Sequence, residues 1–149
     1  MISVCIATYN GARYIAEQLA SILKQLSAED EVVVSDDGST DGTIDIVRSL
    51  NDRRIRIVDG PRRHSPTLNF ERALRNAKGE YIFLADQDDV WLEDKVTRCV
   101  EELHQSVQSR TVEGRTRNAV ITVIIVQRPT LFPHIAGEHF LLFRQREYI

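Results

Sequence analysis

Three carboxylates crowd the segment LADQDDVW, residues 84–91, directly after an apolar run. Asp86, Asp88 and Asp89 stand within four positions, and carboxylates within about 6 Å of one another raise at least one pKa unless a cation lies between them. Mg²⁺ typically binds one or two carboxylates together with substrate phosphates. The spacing of Asp86 and Asp88 therefore indicates a divalent-cation site that would help a diphosphate to leave. An exposed acidic loop that caps a helix beginning near Val90 is the alternative interpretation.

A second acidic pair, Asp36 and Asp37, follows the apolar run EVVVSD and enters a turn at Gly38 and Ser39. A carboxylate at this position could accept hydrogen bonds from the edge of a nucleobase. Capping of the next helix is the alternative role, although Asp41 already suffices for that. The common phosphate-binding loops are excluded, because the chain has neither G-x-x-x-x-G-K-[ST] nor a G-x-G-x-x-G after the first strand.

The elements that must position these acids alternate along the chain. Apolar, β-branched runs predict strands at residues 2–8, 31–36, 55–58 and 80–86. Helical spacing of apolar residues predicts helices over 12–26, 43–50 and 68–77, with Gly79 as the C′ glycine of the third helix, and a fourth helix to about residue 107. The fold class is therefore α/β, with a mostly parallel sheet and helices on both faces. Ligands of such sheets bind beyond the carboxyl ends of the strands, where both acidic pairs lie.

Composition is typical of a globular domain. Of 149 residues, 42% are hydrophobic and 28% charged, with a net charge of −3. No window approaches 18 apolar residues, and the first residues have no features of a signal peptide, so a cytoplasmic protein is expected. The two cysteines, Cys5 and Cys99, are expected to be reduced and buried.

Three ordered motifs carry a family resemblance: SVCIATYNGARYIAEQLASIL, VVVSDDGSTDGT and GEYIFLADQDDVWLEDK. Together they resemble the family 2 glycosyltransferases, whose nucleotide-sugar-binding fold is the Rossmann-like GT-A fold. The resemblance covers about residues 1–98. Asn69-Phe70-Glu71 followed by LADQDDVW is most similar to the bacterial branch that includes rhamnosyltransferases, and the C-terminal third has no matching motif.

The resemblance implies a nucleotide site in the segments at the carboxyl ends of the first, second and fourth strands. Tyr9 would pack against the base and Asp37 would hydrogen-bond it, with Asp36 supporting the turn. The residues implied in nucleotide binding are Ala7, Tyr9, Asn10, Asp36, Asp37 and Asp86.

The resemblance also implies a metal-dependent transfer. Asp86 and Asp88 match the family's D-x-D motif, so both would lie at a Mg²⁺ or Mn²⁺ ion, and Asp88 would coordinate the ion that bridges the diphosphate. The implied donor is a UDP- or dTDP-linked sugar, the acceptor a glycan or lipid-linked molecule, and the reaction one inverting displacement. Such an enzyme would work in the cytoplasm or at the inner face of the membrane, with no nucleic-acid partner.

Two neighbouring features have open roles. Arg62, Arg63 and His64 could reach a phosphate from the loop at residues 59–66, although a solvated loop is the commoner state of such residues. Trp91 is expected to pack beneath the acidic loop rather than touch a sugar, because large aromatic side chains mostly bury area.

The catalytic base is not identifiable from the sequence. Family members carry it beyond the D-x-D motif, and no Asp follows Asp94 here, so Glu138 beside His139 is the best positional candidate. We divide the chain into a nucleotide-sugar-binding core at 1–107 and a divergent segment at 108–149 that contains a fifth strand at 119–126.

The divergent segment is interpreted as the remnant of a truncated acceptor half or as the dimerisation segment of a homodimer. The alternative to a complete transferase is therefore a nucleotide-sugar-binding module without independent catalysis. A phosphoryl-transfer domain is disfavoured, because such domains place their paired acids after the first strand.

Overall fold

The computed structural model describes residues 1–108 of the chain, with side chains up to His104. The strands are β1 (Ile2–Thr8), β2 (Glu31–Asp36), β3 (Ile55–Val58) and β4 (Tyr81–Asp86), and the helices are α1 (Ile15–Leu23), α2 (Thr43–Ser49), α3 (Pro66–Asn76) and α4 (Lys95–Gln108). Within this part of the chain, no helix has the length and apolar character needed to cross a membrane. The strand predicted at 119–126 and the candidate base Glu138 lie outside the described residues.

All four strands are parallel and lie in the order β3-β2-β1-β4. This confirms the open parallel sheet that the sequence predicts. After β3 the chain crosses to the far side of β1, so the strand order reverses between β1 and β4. Ligands of open α/β sheets bind in the crevice that such a reversal leaves at the carboxyl ends of the strands.

Helices cover both faces of the sheet, as predicted. One apolar cluster joins Val4, Ile6, Val34 and Phe83 of the strands to α1, α2 and α4, and a smaller one joins strand residues of the opposite face to Ala73 and Ala77 around the end of α3. Successive side chains of a strand point to opposite faces of the sheet, which explains why the buried residues form two separate clusters. Cys5 and Cys99 are both buried and free, and they belong to opposite clusters.

Helix α1 is shorter than the predicted helix over 12–26. Tyr14 N and Ile15 N both bond to the carbonyl of Gly11, at 2.9 and 3.0 Å, so a turn comes before the helix. Helix α3 begins earlier than predicted, at Pro66, with Ser65 as its N-cap. Proline favours the first helical position because its missing N–H has no helical acceptor there.

The prediction that Gly79 serves as the C′ glycine of α3 is wrong. The helix ends at Asn76 and is capped by Ala77 in an extended conformation, and Gly79 does not have a positive φ. Glycine is required there for space: a Cβ atom would lie 2.5 Å from Ser3 N and 2.8 Å from the carbonyl carbon of Ile2. The turn before β4 thus packs directly on the start of β1.

A buried polar cluster holds this close approach. Ser3 Oγ donates to Glu31 Oε1 at 2.7 Å and accepts from Gly79 N at 2.7 Å, while Lys78 N donates to Glu31 Oε1 at 2.7 Å. Arg56 Nη2 pairs with Glu31 Oε2 at 3.0 Å. Burial alone would raise the pKa of Glu31, but the hydrogen bonds and the Arg56 charge outweigh it and hold that pKa below its ordinary value.

Replacing Gly79 by alanine should lower the free energy of unfolding by about 2 kcal/mol, because the methyl group meets backbone atoms that cannot move aside. Urea denaturation measures the change. Glu80→Ala is the matched control, since Glu80 is exposed and its backbone N–H keeps its bond to Met1 O. Equal stability of the two variants would contradict the steric explanation.

Candidate functional site

The loops that follow β1, β2 and β4 meet at the crevice between β1 and β4. We call them the Tyr9 loop (residues 9–11), the Asp37 turn (residues 36–40) and the acidic loop (residues 86–94). Asn10 N donates to Ser39 Oγ at 2.8 Å, and Tyr9 N donates to Gln87 Oε1 at 3.0 Å. The structure therefore brings the predicted nucleotide and metal residues of all three loops to one edge of the sheet.

The Tyr9 loop is held by polar contacts with the Asp37 turn and the start of α2. Asn10 has a φ of +49°, a left-handed conformation that asparagine tolerates better than most residues. Its Oδ1 accepts from Thr40 N at 2.9 Å, and Gly11 N donates to Thr43 Oγ1 at 2.9 Å. Asn10 thus shapes the loop with its side chain and leaves Tyr9 45% exposed at the crevice.

Asp36 closes the Asp37 turn. Its carboxylate accepts from Thr8 Oγ1 at 2.8 Å, from Gly38 N at 2.9 Å, and from Ser39 through both N and Oγ, at 2.8 and 2.5 Å. Gly38 takes the positive φ of +82° that the turn requires. These contacts agree with a supporting role for Asp36 at the turn.

Asp37 is 4% exposed, and its carboxylate faces the segment before α3, residues 59–65, which we call the basic loop. Its two oxygens accept from Arg63 N at 2.6 Å and from Ser65 N at 3.1 Å. Burial would raise the pKa of Asp37, but these two hydrogen bonds and the nearby charges of His64 and Arg72 outweigh it and lower that pKa. Asp37 is therefore the anchor of the basic loop, and its contact with a nucleobase stays a prediction.

The basic loop is exposed at residues 59–64 but is hydrogen-bonded to the Asp37 turn. Arg62 donates to the carbonyls of Asp37 and Gly38, at 3.2 and 2.6 Å, and its guanidinium lies 5.6 Å from the centre of the Tyr9 ring. His64 meets the same ring edge-on, at 6.4 Å between ring centres. The basic loop and the Tyr9 ring therefore form one continuous surface.

The acidic loop begins beside the Tyr9 loop, since Asp86 pairs with Ala7 in the β1–β4 register. Asp88 and Asp89 are exposed. The pKa of Asp86 is raised above its ordinary value, mainly because its carboxyl group is desolvated. The negative charges of Asp89 and Asp88 raise it further, and the positive charge of Lys95 lowers it. A cation would relieve this repulsion, so the carboxylates suit a divalent ion.

Among the described residues, no three His, Cys, Asp or Glu side chains converge in the geometry of a metal site. A pair of carboxylates is nevertheless sufficient for Mg²⁺ in many nucleotide sites, because substrate phosphates and water complete the coordination. The metal-binding role of Asp86 and Asp88 therefore stays a prediction, which the chemistry of two carboxylates allows.

A row of polar side chains on α1 and in the turn after it holds the backbone of the acidic loop, and no pattern in the sequence revealed it. Gln18 Nε2 donates to Asp86 O at 2.9 Å, and Ser21 Oγ accepts from Trp91 N at 3.0 Å. Gln25 donates to Leu92 O at 2.8 Å and accepts from Val96 N at 3.1 Å. The signal available in the sequence was the i, i+3 spacing of Gln18 and Ser21, which places these two side chains on one side of α1.

Trp91 is 5% exposed and packs beneath the acidic loop, which confirms the prediction. The centres of the Trp91 and Phe83 rings are 5.7 Å apart. Lys95 Nζ lies 4.5 Å from the centre of the Trp91 ring. The indole N–H has no hydrogen-bond partner among the residues described. The acidic loop is therefore packed onto the core through the Trp91 and Phe83 rings.

Asn69 is a further residue whose role the sequence did not reveal. It is 2% exposed on α3, donates through Nδ2 to Thr8 O at 3.1 Å, and accepts from Ser35 Oγ at 2.6 Å. It ties α3 to the ends of β1 and β2, directly below the Tyr9 loop and the Asp37 turn.

Asp37→Asn should release the basic loop, because the amide nitrogen cannot accept a bond from the Arg63 or Ser65 N–H. We expect trypsin to cut after Arg62 or Arg63 about tenfold faster at pH 8, the effect of losing a hydrogen bond to a charged group. Asp45→Asn, an exposed change on α2, is the control. Equal cleavage of the two variants would contradict the anchoring role.

The pH dependence has a defined sign. Since the pKa of Asp37 is lowered in the folded state, its stabilising effect is present above the ordinary value of 3.8 and is lost as the pH falls through the folded-state value. The difference in unfolding free energy between the wild type and Asp37→Asn should therefore shrink in acid, as urea denaturation at several pH values would measure.

Comparison with known proteins gives consistent results. A dTDP-rhamnosyl transferase of Shigella flexneri, RfbG, is 34% identical over 102 residues, which cover 64% of this chain and 35% of that protein. S. aureus TarS, solved in complex with UDP-GlcNAc, has a TM-score of 0.63 at 32% identity and covers 70% of this chain and 31% of its own. A mannosyltransferase of Pyrobaculum calidifontis, solved with GDP-Man and Mn²⁺, has a TM-score of 0.62 at 35% identity, covering 68% and 32%.

The chain spans between 33% and 41% of the length of three further curated relatives. The family model described as glycosyl transferase family 2 matches residues 3–136, so the match extends beyond residues 1–98, the range over which the sequence motifs carry the resemblance. The parallel sheet and its helices are those of the GT-A glycosyltransferases among these structures. This chain belongs to glycosyl transferase family 2.

Proposed function

We propose that the crevice between β1 and β4 binds a UDP- or dTDP-linked sugar, and that the protein transfers this sugar to a glycan or lipid-linked acceptor. One observation carries the proposal: Tyr9 and the carboxylates Asp86 and Asp88 follow adjacent parallel strands at the point where the strand order reverses. An aromatic ring on one side and paired acids on the other suit the two ends of a nucleoside diphosphate.

The base end of the ligand lies against the Tyr9 ring in this proposal. Tyr9 is 45% exposed and is already in contact with Arg62 and His64 of the basic loop. Asp36 and Asp37 hold the turn and the basic loop around that ring, and Asn10 sets the course of the Tyr9 loop. Ala7 contributes the neighbouring backbone where β1 meets Asp86.

The diphosphate end lies at the acidic loop. Asp86 and Asp88 hold Mg²⁺ or Mn²⁺ there, and when bound the ion stabilises the charge of the departing diphosphate. Two similar structures support a nucleotide-sugar donor, since TarS was solved with UDP-GlcNAc and the Pyrobaculum enzyme with GDP-Man and Mn²⁺.

Transfer would proceed with inversion in one displacement, in which a carboxylate base takes the proton of the acceptor hydroxyl. Glu138, the sequence candidate for this base, lies outside the described residues. With this donor class we place the protein in the cytoplasm. If the acceptor is lipid-linked, the protein works at the inner face of the membrane.

Donor binding without turnover is the second candidate function. It is favoured because the crevice acids that have a role in this proposal, Asp36, Asp37, Asp86 and Asp88, serve the turn, the basic loop or the metal ion, and none of them is assigned as the base. Incubation with a UDP-sugar separates the two candidates: sugar transfer or hydrolysis supports a transferase, and binding alone supports a binding module.

Asp88→Asn should weaken the Mn²⁺-dependent binding of UDP by about tenfold to a hundredfold, the range typical for disturbing a metal site. Asp88 is exposed, so the free energy of unfolding should change by less than about 0.5 kcal/mol. Titration calorimetry with UDP or dTDP, in MnCl₂ and again in EDTA, measures the effect.

Asp94→Asn is the matched control, because Asp94 is an exposed acid of the same loop. Its carboxylate forms an ion pair with Arg98 at 3.7 Å. Unchanged Mn²⁺-dependent affinity in Asp88→Asn would remove Asp88 from the metal site. Absence of UDP binding by the wild type, with and without Mn²⁺, would overturn the proposed function itself.

A further inference from the structure

The side chain of Gln87 connects the two sides of the crevice. Its Oε1 accepts from Tyr9 N at 3.0 Å, and its Nε2 donates to Tyr9 O at 3.2 Å. The backbone register of β1 and β4 ends at the pair Ala7 and Asp86. The Gln87 amide therefore continues the pairing of the two strands beyond the last backbone pair, into the loops themselves. We call this pair of hydrogen bonds the Gln87 clasp.

Gly11 leaves the space that the Gln87 clasp needs. A Cβ atom at this position would lie 2.3 Å from Gln87 Oε1 and 2.7 Å from its Cδ. Gly11 does not have a positive φ, so an alanine there would be compatible with the backbone. The one conflict is with the end of a flexible side chain, which makes Gly11→Ala a way to open the clasp without altering Gln87.

We infer that Gln87 is a positioning residue that sets the distance between the Tyr9 loop and the acidic loop. The inference rests on the proposed function, because this distance matters only to a ligand that contacts both loops. Gln87 stands between Asp86 and Asp88 in the chain, and its side chain bonds Tyr9, so it joins the metal end of the proposed site to its base end.

Such a connection favours one class of ligand. A nucleoside diphosphate spans both loops, and loops that are already fixed relative to each other lose less conformational freedom when it binds. Pyrophosphate with Mn²⁺ contacts the acidic loop alone, so its affinity does not depend on the clasp. Selectivity for the nucleotide over its diphosphate end is therefore the property that the clasp controls.

The experiment is a double-mutant cycle in the full 149-residue chain with Gln87→Ala, Gly11→Ala and the two together. Calorimetry in MnCl₂ measures the affinity for UDP and for inorganic pyrophosphate. Each single variant should bind UDP about tenfold more weakly, the effect of losing two exposed hydrogen bonds and the order they impose. Pyrophosphate affinity should stay within about twofold of the wild type. The double variant should be no weaker than Gln87→Ala alone, since the added methyl group has no amide left to displace.

Several results would overturn the inference. UDP affinity equal to that of the wild type in both single variants would show that the clasp positions nothing, and tighter binding would show that Gln87 blocks the crevice. Additive losses in the double variant would mean that Gly11 acts by another route. A parallel loss of pyrophosphate affinity would indicate damage to the acidic loop as a whole. These outcomes all require a wild type that binds UDP; if it binds none, the proposed function fails first and the inference fails with it.

Discussion

The site depends on the pairing of β1 with two parallel neighbours at once. Ala7 stands beside Ser35 of β2 and beside Asp86 of β4, so the carboxyl ends of three strands come level at one edge. Because β1 and β2 are buried on both faces, a shift of one residue would move every side chain to the opposite face and disturb the packing of both apolar clusters. The hydrophobic pattern of the strands thereby sets the relative height of the loops that carry the polar groups.

Above the sheet, side chains rather than backbone ladders hold the loops. Gln18 of α1 and Gln25 in the turn after it bond the acidic loop, Asn69 of α3 bonds the end of β1, and Asp37 bonds the basic loop. Gln18, Asn69 and Asp37 are buried, and buried polar groups lower stability unless they are satisfied; here each of the three finds its partners. A loop that is fixed in this way presents its backbone N–H and C=O groups to a ligand in a single arrangement. Such an arrangement suits a ligand of fixed length.

The elements of the fold could be predicted because their signals are local. Runs such as VVVS and IFLA alternate with helical spacing, and each strand is recovered to within a residue. The prediction for Gly79 is wrong, since glycine after a helix usually means a left-handed cap, whereas here the reason is a contact with Ser3 at the start of β1. The acids Asp36, Asp37, Asp86 and Asp88 were found by type and spacing, but the hydrogen bonds of Gln18, Asn69 and Gln87 join residues more than sixty positions apart. Such pairings are a property of the folded chain, and no local pattern encodes them.

Trp91 is the sole tryptophan of the 149-residue chain, and it lies under the acidic loop against Phe83 and Lys95. Its ultraviolet emission therefore arises from a single known place, with no background from a second indole. Any rearrangement of the loop above it would alter the polarity around the ring and shift the emission spectrum. The native chain thus carries its own optical reporter for the part of the molecule where the chemistry is expected, and no label has to be attached to observe it.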